Sequence, residues 1–75
     1  MSDPSGTPAH APADDFPRGA GNPARGALRA AGYTRLAQLT DVTAAEVLAL
    51  HGVGPKAIGV LREALAAEGL AFAGE

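Results

Sequence analysis

The sequence predicts an all-α fold, a compact bundle of four to five short helices, and three observations lead there. Alanine and leucine supply most of a hydrophobic share of 47% while aromatics contribute 4%, a balance that favours helix over sheet. Apolar residues recur at helical spacing, as in Ile58, Leu61 and Leu65. Helix starts and stops alternate: Asn22-Pro23, Thr43-Ala44-Ala45-Glu46 and Gly54-Pro55 begin segments, and Gly32, Gly52 and Gly69 end them. The 75 residues allow one domain, and without cysteine neither a disulfide nor a cysteine metal site can brace it. Capping and close packing must do so instead.

Taken in order, residues 1–15 hold proline, glycine, serine, threonine, alanine and acids with no periodicity. They are expected to form a disordered acidic tail, leaving 16–75 as the domain. Phe16-Pro17 marks the entry, with Phe16 as a lid on the core. Asn22 is expected to cap a first helix from Pro23 to Ala31 that Gly32 closes. Ala24, Ala27, Leu28 and Ala31 would face inward, with Arg25 and Arg29 together on the exposed side because they lie four apart. Thr34 is expected to cap a second helix, Arg35 to Leu39, that turns Leu36 and Leu39 inward. Thr43 and Glu46 form a capping box, with Val42 and Val47 placed for a hydrophobic staple. The helix they start is expected to reach His51 and to pack through Val47, Leu48 and Leu50. The last helix runs from Pro55 to about Glu68 and closes on Gly69 and Leu70. Gly59 inside it costs roughly 1 kcal/mol against alanine, so a close neighbouring helix is expected there. Phe72 would return to complete the core.

The stretch Gly52-Val53-Gly54-Pro55-Lys56-Ala57 is where function is expected. Gly52 reads as the left-handed residue after one helix, Gly54 and Pro55 as the cap and first position of the next, and Val53 as the anchor between them. Such a turn directs the amides of Gly54, Lys56 and Ala57 outward at the positive end of a helix dipole, a site for a phosphate oxygen. Lys56 adds a full charge, and Ala57 lets the two helices approach closely.

This turn resembles the hairpin of the helix-hairpin-helix family, whose members grip nucleic-acid backbones without reading sequence. A wider resemblance runs through Leu28-x-x-Ala31-Gly32-Tyr33-Thr34-x-Leu36-x-x-Leu39, Thr43-x-x-Glu46-x-Leu48, the turn itself and Leu61-x-x-Ala64-Leu65-x-x-x-Gly69-Leu70. It is similar to the C-terminal domain of the bacterial RNA polymerase α subunit. The resemblance implies a SAM-like bundle and a DNA-binding role in transcription. Gly54 and Lys56 match the family's contact positions. The family's arginine and asparagine, on the helix before Ala31-Gly32, are replaced by Pro23 and Gly26, which cannot donate a side-chain hydrogen bond.

Charge is uneven. The net charge is −2, yet residues 16–40 carry Arg18, Arg25, Arg29 and Arg35 with no acid, while the segments on either side are acidic. A nucleic-acid surface would therefore combine Gly52, Val53, Gly54, Lys56 and Ala57 with Arg25 and Arg29. The alternative is a protein-interaction module, a transcription-related docking domain that keeps the fold without the DNA contact; the net acidity and the residues at 23 and 26 favour it. No enzyme is expected: there is no cysteine nucleophile, His10 and His51 lie in different contexts, and the acids occur singly. His51 reads as a surface or capping residue. No metal and no cofactor are expected. No apolar run approaches the roughly 18 residues of a membrane span, and the N-terminus lacks the order of a signal peptide. The expectation is a cytoplasmic monomer, and the alanine, glycine, proline and arginine bias is that of a GC-rich bacterial genome.

Overall fold

The computed structural model describes residues 14 to 75, which are all-helical, in three α-helices and two 3₁₀ segments. For residues 1 to 13 the expected tail lies outside the described residues. Asp14 and Asp15, assigned to that tail, belong to the fold. The Asp15 amide donates to the Thr34 carbonyl (3.0 Å), and its carboxylate accepts from the Leu36 amide (2.7 Å). Phe16, next in the chain, is buried as expected.

A 3₁₀ turn, Arg18–Ala20, follows Pro17 and packs against the last helix, where a Cβ at Gly19 would stand 3.3 Å from Val60. Helix α1, Asn22–Ala30, then starts after Gly21, whose φ of +88° suits glycine alone. Asn22, expected to cap from outside, is inside the helix, and among the described residues no side chain caps this end. Proline in the first turn lacks the amide a cap would satisfy there. The far end closes as expected: Gly32 has φ +97°, and the Tyr33 amide reaches back to the Leu28 carbonyl at 2.8 Å. Ala24 and Leu28 are buried, but Ala31, expected inside, is exposed.

The second segment is a 3₁₀ helix, Leu36–Asp41, where an α-helix from Arg35 to Leu39 was expected. Three residues per turn place Leu36 and Leu39 one above the other, and both are buried. Thr34 does not cap it. The side-chain oxygen of Gln38, Oε1, accepts from the backbone amides of Thr34 (2.7 Å) and Arg35 (2.9 Å), so the cap comes from inside the helix.

Helix α2, Ala44–Leu48, opens on the expected capping box, with the Glu46 amide on Thr43 Oγ1 (3.1 Å) and the Thr43 amide on Glu46 Oε1 (2.8 Å). It stops short of His51. The Leu50 amide takes the Val47 carbonyl and the Val53 amide takes the Leu50 carbonyl, winding the chain into tighter turns. Val47 is therefore buried, but Leu48, expected to pack, is 43% exposed and Leu50 is half-buried.

Helix α3, Pro55–Ala67, places Ala57, Ile58, Leu61 and Leu65 in the core. It closes on Gly69, with the Leu70 amide on the Leu65 carbonyl at 2.8 Å. The chain then returns across the bundle, the Ala73 amide donating to the Val42 carbonyl (2.8 Å), and Phe72 is buried as expected. Nothing lies within 4 Å of where a Cβ at Gly59 would stand, so the close neighbour expected there is absent. Among the described residues no helix is long and apolar enough to cross a membrane.

Candidate nucleic-acid interface

The turn between α2 and α3 is fixed by three residues with separate tasks. Gly52 takes φ +97°, and a Cβ there would stand 3.0 Å from the Pro23 carbonyl oxygen and 3.7 Å from the Ala27 Cβ. Both the backbone angle and the approach to α1 therefore demand glycine. Val53 is buried and ties the turn to the core. Gly54, the N-cap of α3, has an ordinary extended backbone (φ −112°, ψ 175°), and a Cβ there would meet nothing within 4 Å. Its carbonyl accepts from the Ile58 amide at 3.1 Å.

Among the described residues no side chain caps α3. The amides of Lys56 and Ala57 have no preceding helical carbonyl to donate to, and the partial positive charge of a 13-residue helix gathers there. Lys56, in that first turn, is exposed. By contrast, the start of α2 is closed by Thr43 and Glu46, and the start of the preceding 3₁₀ segment by Gln38.

Two of the expected surface residues point elsewhere. Val53 and Ala57 are buried, so they position the turn and let α3 pack rather than meet a ligand. The surface of this turn belongs to Gly52, Pro55 and Lys56, with Gly54 half-exposed.

The arginines differ more. Asp14 is buried against α1, its side chain fully covered, and its carboxylate pairs with both Arg25 Nε (3.3 Å) and Arg29 Nη1 (2.5 Å). The same carboxylate accepts from the Phe16 amide at 3.0 Å. Burial alone would raise the carboxyl's pKa. The Arg29 hydrogen bond, the Phe16 amide and the Arg25 charge and hydrogen bond outweigh it and hold the group below its ordinary value. Arg25 and Arg29 thus share one negative charge at close range and are not a free cationic pair. Pro23 and Ala27 face the Gly52 turn, and at 100° per residue the two arginines point about 160° away from them around α1. The structure brings Gly52, Gly54 and Lys56 together and puts Arg25 and Arg29 on another side.

Asp14 is the residue that sequence reasoning missed. Its neighbour Phe16, the first aromatic of the core, is the available signal: an acid two residues before a buried entry residue can fold back on that residue's amide. Beside the turn, Ala27, Ala30, Ala31, Leu50 and His51 line a shallow depression of about 280 Å³.

No protein-family model matches this chain, and neither a curated protein nor a solved structure matches it.

Proposed function

We propose that this chain is a small nucleic-acid-binding domain of the helix-hairpin-helix kind, which holds the backbone of duplex DNA at the Gly52–Lys56 turn without reading its sequence. The observation that carries this reading is the exposed Lys56 in the first turn of the uncapped helix α3, beside the open space at Gly54. A phosphate oxygen there gains both unpaired amides and a full charge. Arg25 and Arg29 are not part of this contact. With one lysine to neutralise phosphate, the slope of log K against log salt is about −1, and affinity falls at or below the weak end of non-specific binding, about 10⁻⁴ M. The reading carries with it a cytoplasmic location and a role close to transcription.

The test is an amide chemical-shift titration of the isotopically labelled protein with a short DNA duplex at low and then moderate salt. Shifts should concentrate at residues 52 to 57, fade as salt rises, and disappear in Lys56→Glu. A flat titration at low salt would remove the proposal.

A second reading, a protein-docking module, is favoured by the pairing of both α1 arginines with Asp14 and by the exposed Leu48 on α2. It predicts that the flat titration is the outcome, and that recovery of a protein partner is weakened by Leu48→Ser.

A further inference from the structure

Asp14 is the one buried ionised group among the described residues, and the hairpin contact does not use it. Its two oxygens are divided between two guanidinium groups one helical turn apart on α1. That is how a phosphate would bridge the same pair, one oxygen to each cation. The carboxylate is supplied by the chain just before its first core residue, so it is an internal anion seated where an external one could sit.

The arginines are not used up by it. Among the described residues Arg25 gives Nε to Asp14 and Nη1 to Asn22 Oδ1 (3.5 Å), and Arg29 gives Nη1 to Asp14. Each guanidinium has five N–H donors, so several remain on both. The Arg29 side chain is 40% exposed and the Arg25 side chain 19%, whereas Asp14 lies wholly beneath them. An approaching polyanion therefore meets the outer edges of two cations whose attraction is halved by a buried negative charge. The group carries a net charge of +1 where the pair alone would carry +2.

We infer that Asp14 masks a second backbone-phosphate site, formed by Arg25 and Arg29 on the side of α1 away from the Gly52 turn. With the carboxylate seated, the pair contributes little to DNA binding; without it, the pair becomes a contact in its own right. The inference rests on the nucleic-acid reading for its ligand class, but on different residues and a different face.

The test measures duplex DNA binding by fluorescence anisotropy across a salt series for the full chain and for Asp14→Asn, Lys56→Glu and the double variant, each checked for folding by its amide spectrum. Asp14→Asn keeps an acceptor for the Phe16 amide and removes the charge. It should bind more tightly than wild type, with a log–log salt slope steeper by about 0.9 for each phosphate the freed pair neutralises. The double variant should retain that gain, and replacing Arg25 and Arg29 by glutamine should erase it.

Equal affinity and slope in wild type and Asp14→Asn would overturn the inference while leaving the hairpin reading intact. Gain in Asp14→Asn with no effect of Lys56→Glu in the wild type would do the reverse. If Asp14→Asn does not fold, Asp14→Ser takes its place, because a hydroxyl can also accept from the Phe16 amide. The Arg25 Nε–H signal of the wild type decides independently of both: it should not move at saturating duplex, and a shift there would overturn the inference.

Discussion

Gly52→Ala tests whether the turn is held by its own backbone angle or also by its seat on α1. Two costs apply, and they have separate origins. A residue with a Cβ at φ +97° loses about 1–2 kcal/mol to local strain. In addition the new Cβ would stand 3.0 Å from the Pro23 carbonyl oxygen, a backbone atom that cannot rotate aside, so the turn or the start of α1 must shift. Overpacking of this kind costs about 1–3 kcal/mol, for a total of about 2–5. Gly32→Ala isolates the first cost: its φ is also +97°, and a Cβ there meets nothing within 4 Å. It should lose about 1–2 kcal/mol only. The alanine effect on the unfolded chain is common to both and cancels in the comparison. Urea unfolding supplies the measurement, with thermal melts as a second readout at about 4–8 °C per kcal/mol for a domain of this size. Equal destabilisation of the two variants would show that Pro23 does not constrain the turn, and the proposed seating of the DNA contact on α1 would go with it.

Two further predictions follow from single residues. Gly59→Ala should stabilise the protein by roughly 0.5–1 kcal/mol, because a helical alanine replaces glycine where nothing lies within 4 Å; a lower melting temperature would refute this. Asp14 sets an acid limit: its native carboxyl is held below the ordinary value of 3.8, so its stabilisation is present above that value and is lost as pH falls through the native one. Unfolding midpoints for wild type should fall below about pH 4 more steeply than those of Asp14→Asn, which has no charge to lose there; parallel curves would contradict the assignment.

What the sequence made legible was local. The capping box at Thr43 and Glu46, the closures at Gly32 and Gly69 and the proline-initiated α3 depend on neighbours close in the chain, and each stands where its pattern placed it. The misplaced features depend on distant neighbours or on fine energy differences. Thr34 stands one residue outside the start it was expected to cap: Arg35 is the N-cap, and the Gln38 side chain accepts from the Thr34 and Arg35 amides. Helix α2 has no glycine or proline before Gly52 to announce its end, yet it stops at Leu48, and tighter turns carry the chain to the buried Val53. Gly59 shows the converse, a local cost with no packing reason that the structure supplies. In the candidate site, Gly52, Gly54 and Lys56 were legible as a contiguous turn. The pairing of Asp14 with residues 11 and 15 positions onward was not, since the acid sits in a stretch whose composition signals no structure.

The separation of the arginines from the turn follows from a steric requirement on α1. A Cβ at Gly52 would meet the Pro23 carbonyl and the Ala27 side chain, and Ala30 and Ala31 line the depression beside the turn. A long side chain at position 27 would hold the turn away, so close backbone approach and an arginine cannot share that side of the helix. Once small residues are committed to the turn and Ala24 and Leu28 to the core, the remaining side is where Arg25 and Arg29 must go. Counting charge along the sequence joins them to Lys56. The helix that seats the turn is also what divides them, so on this α1 a continuous basic surface through Lys56, Arg25 and Arg29 would require giving up the contact that positions Gly52.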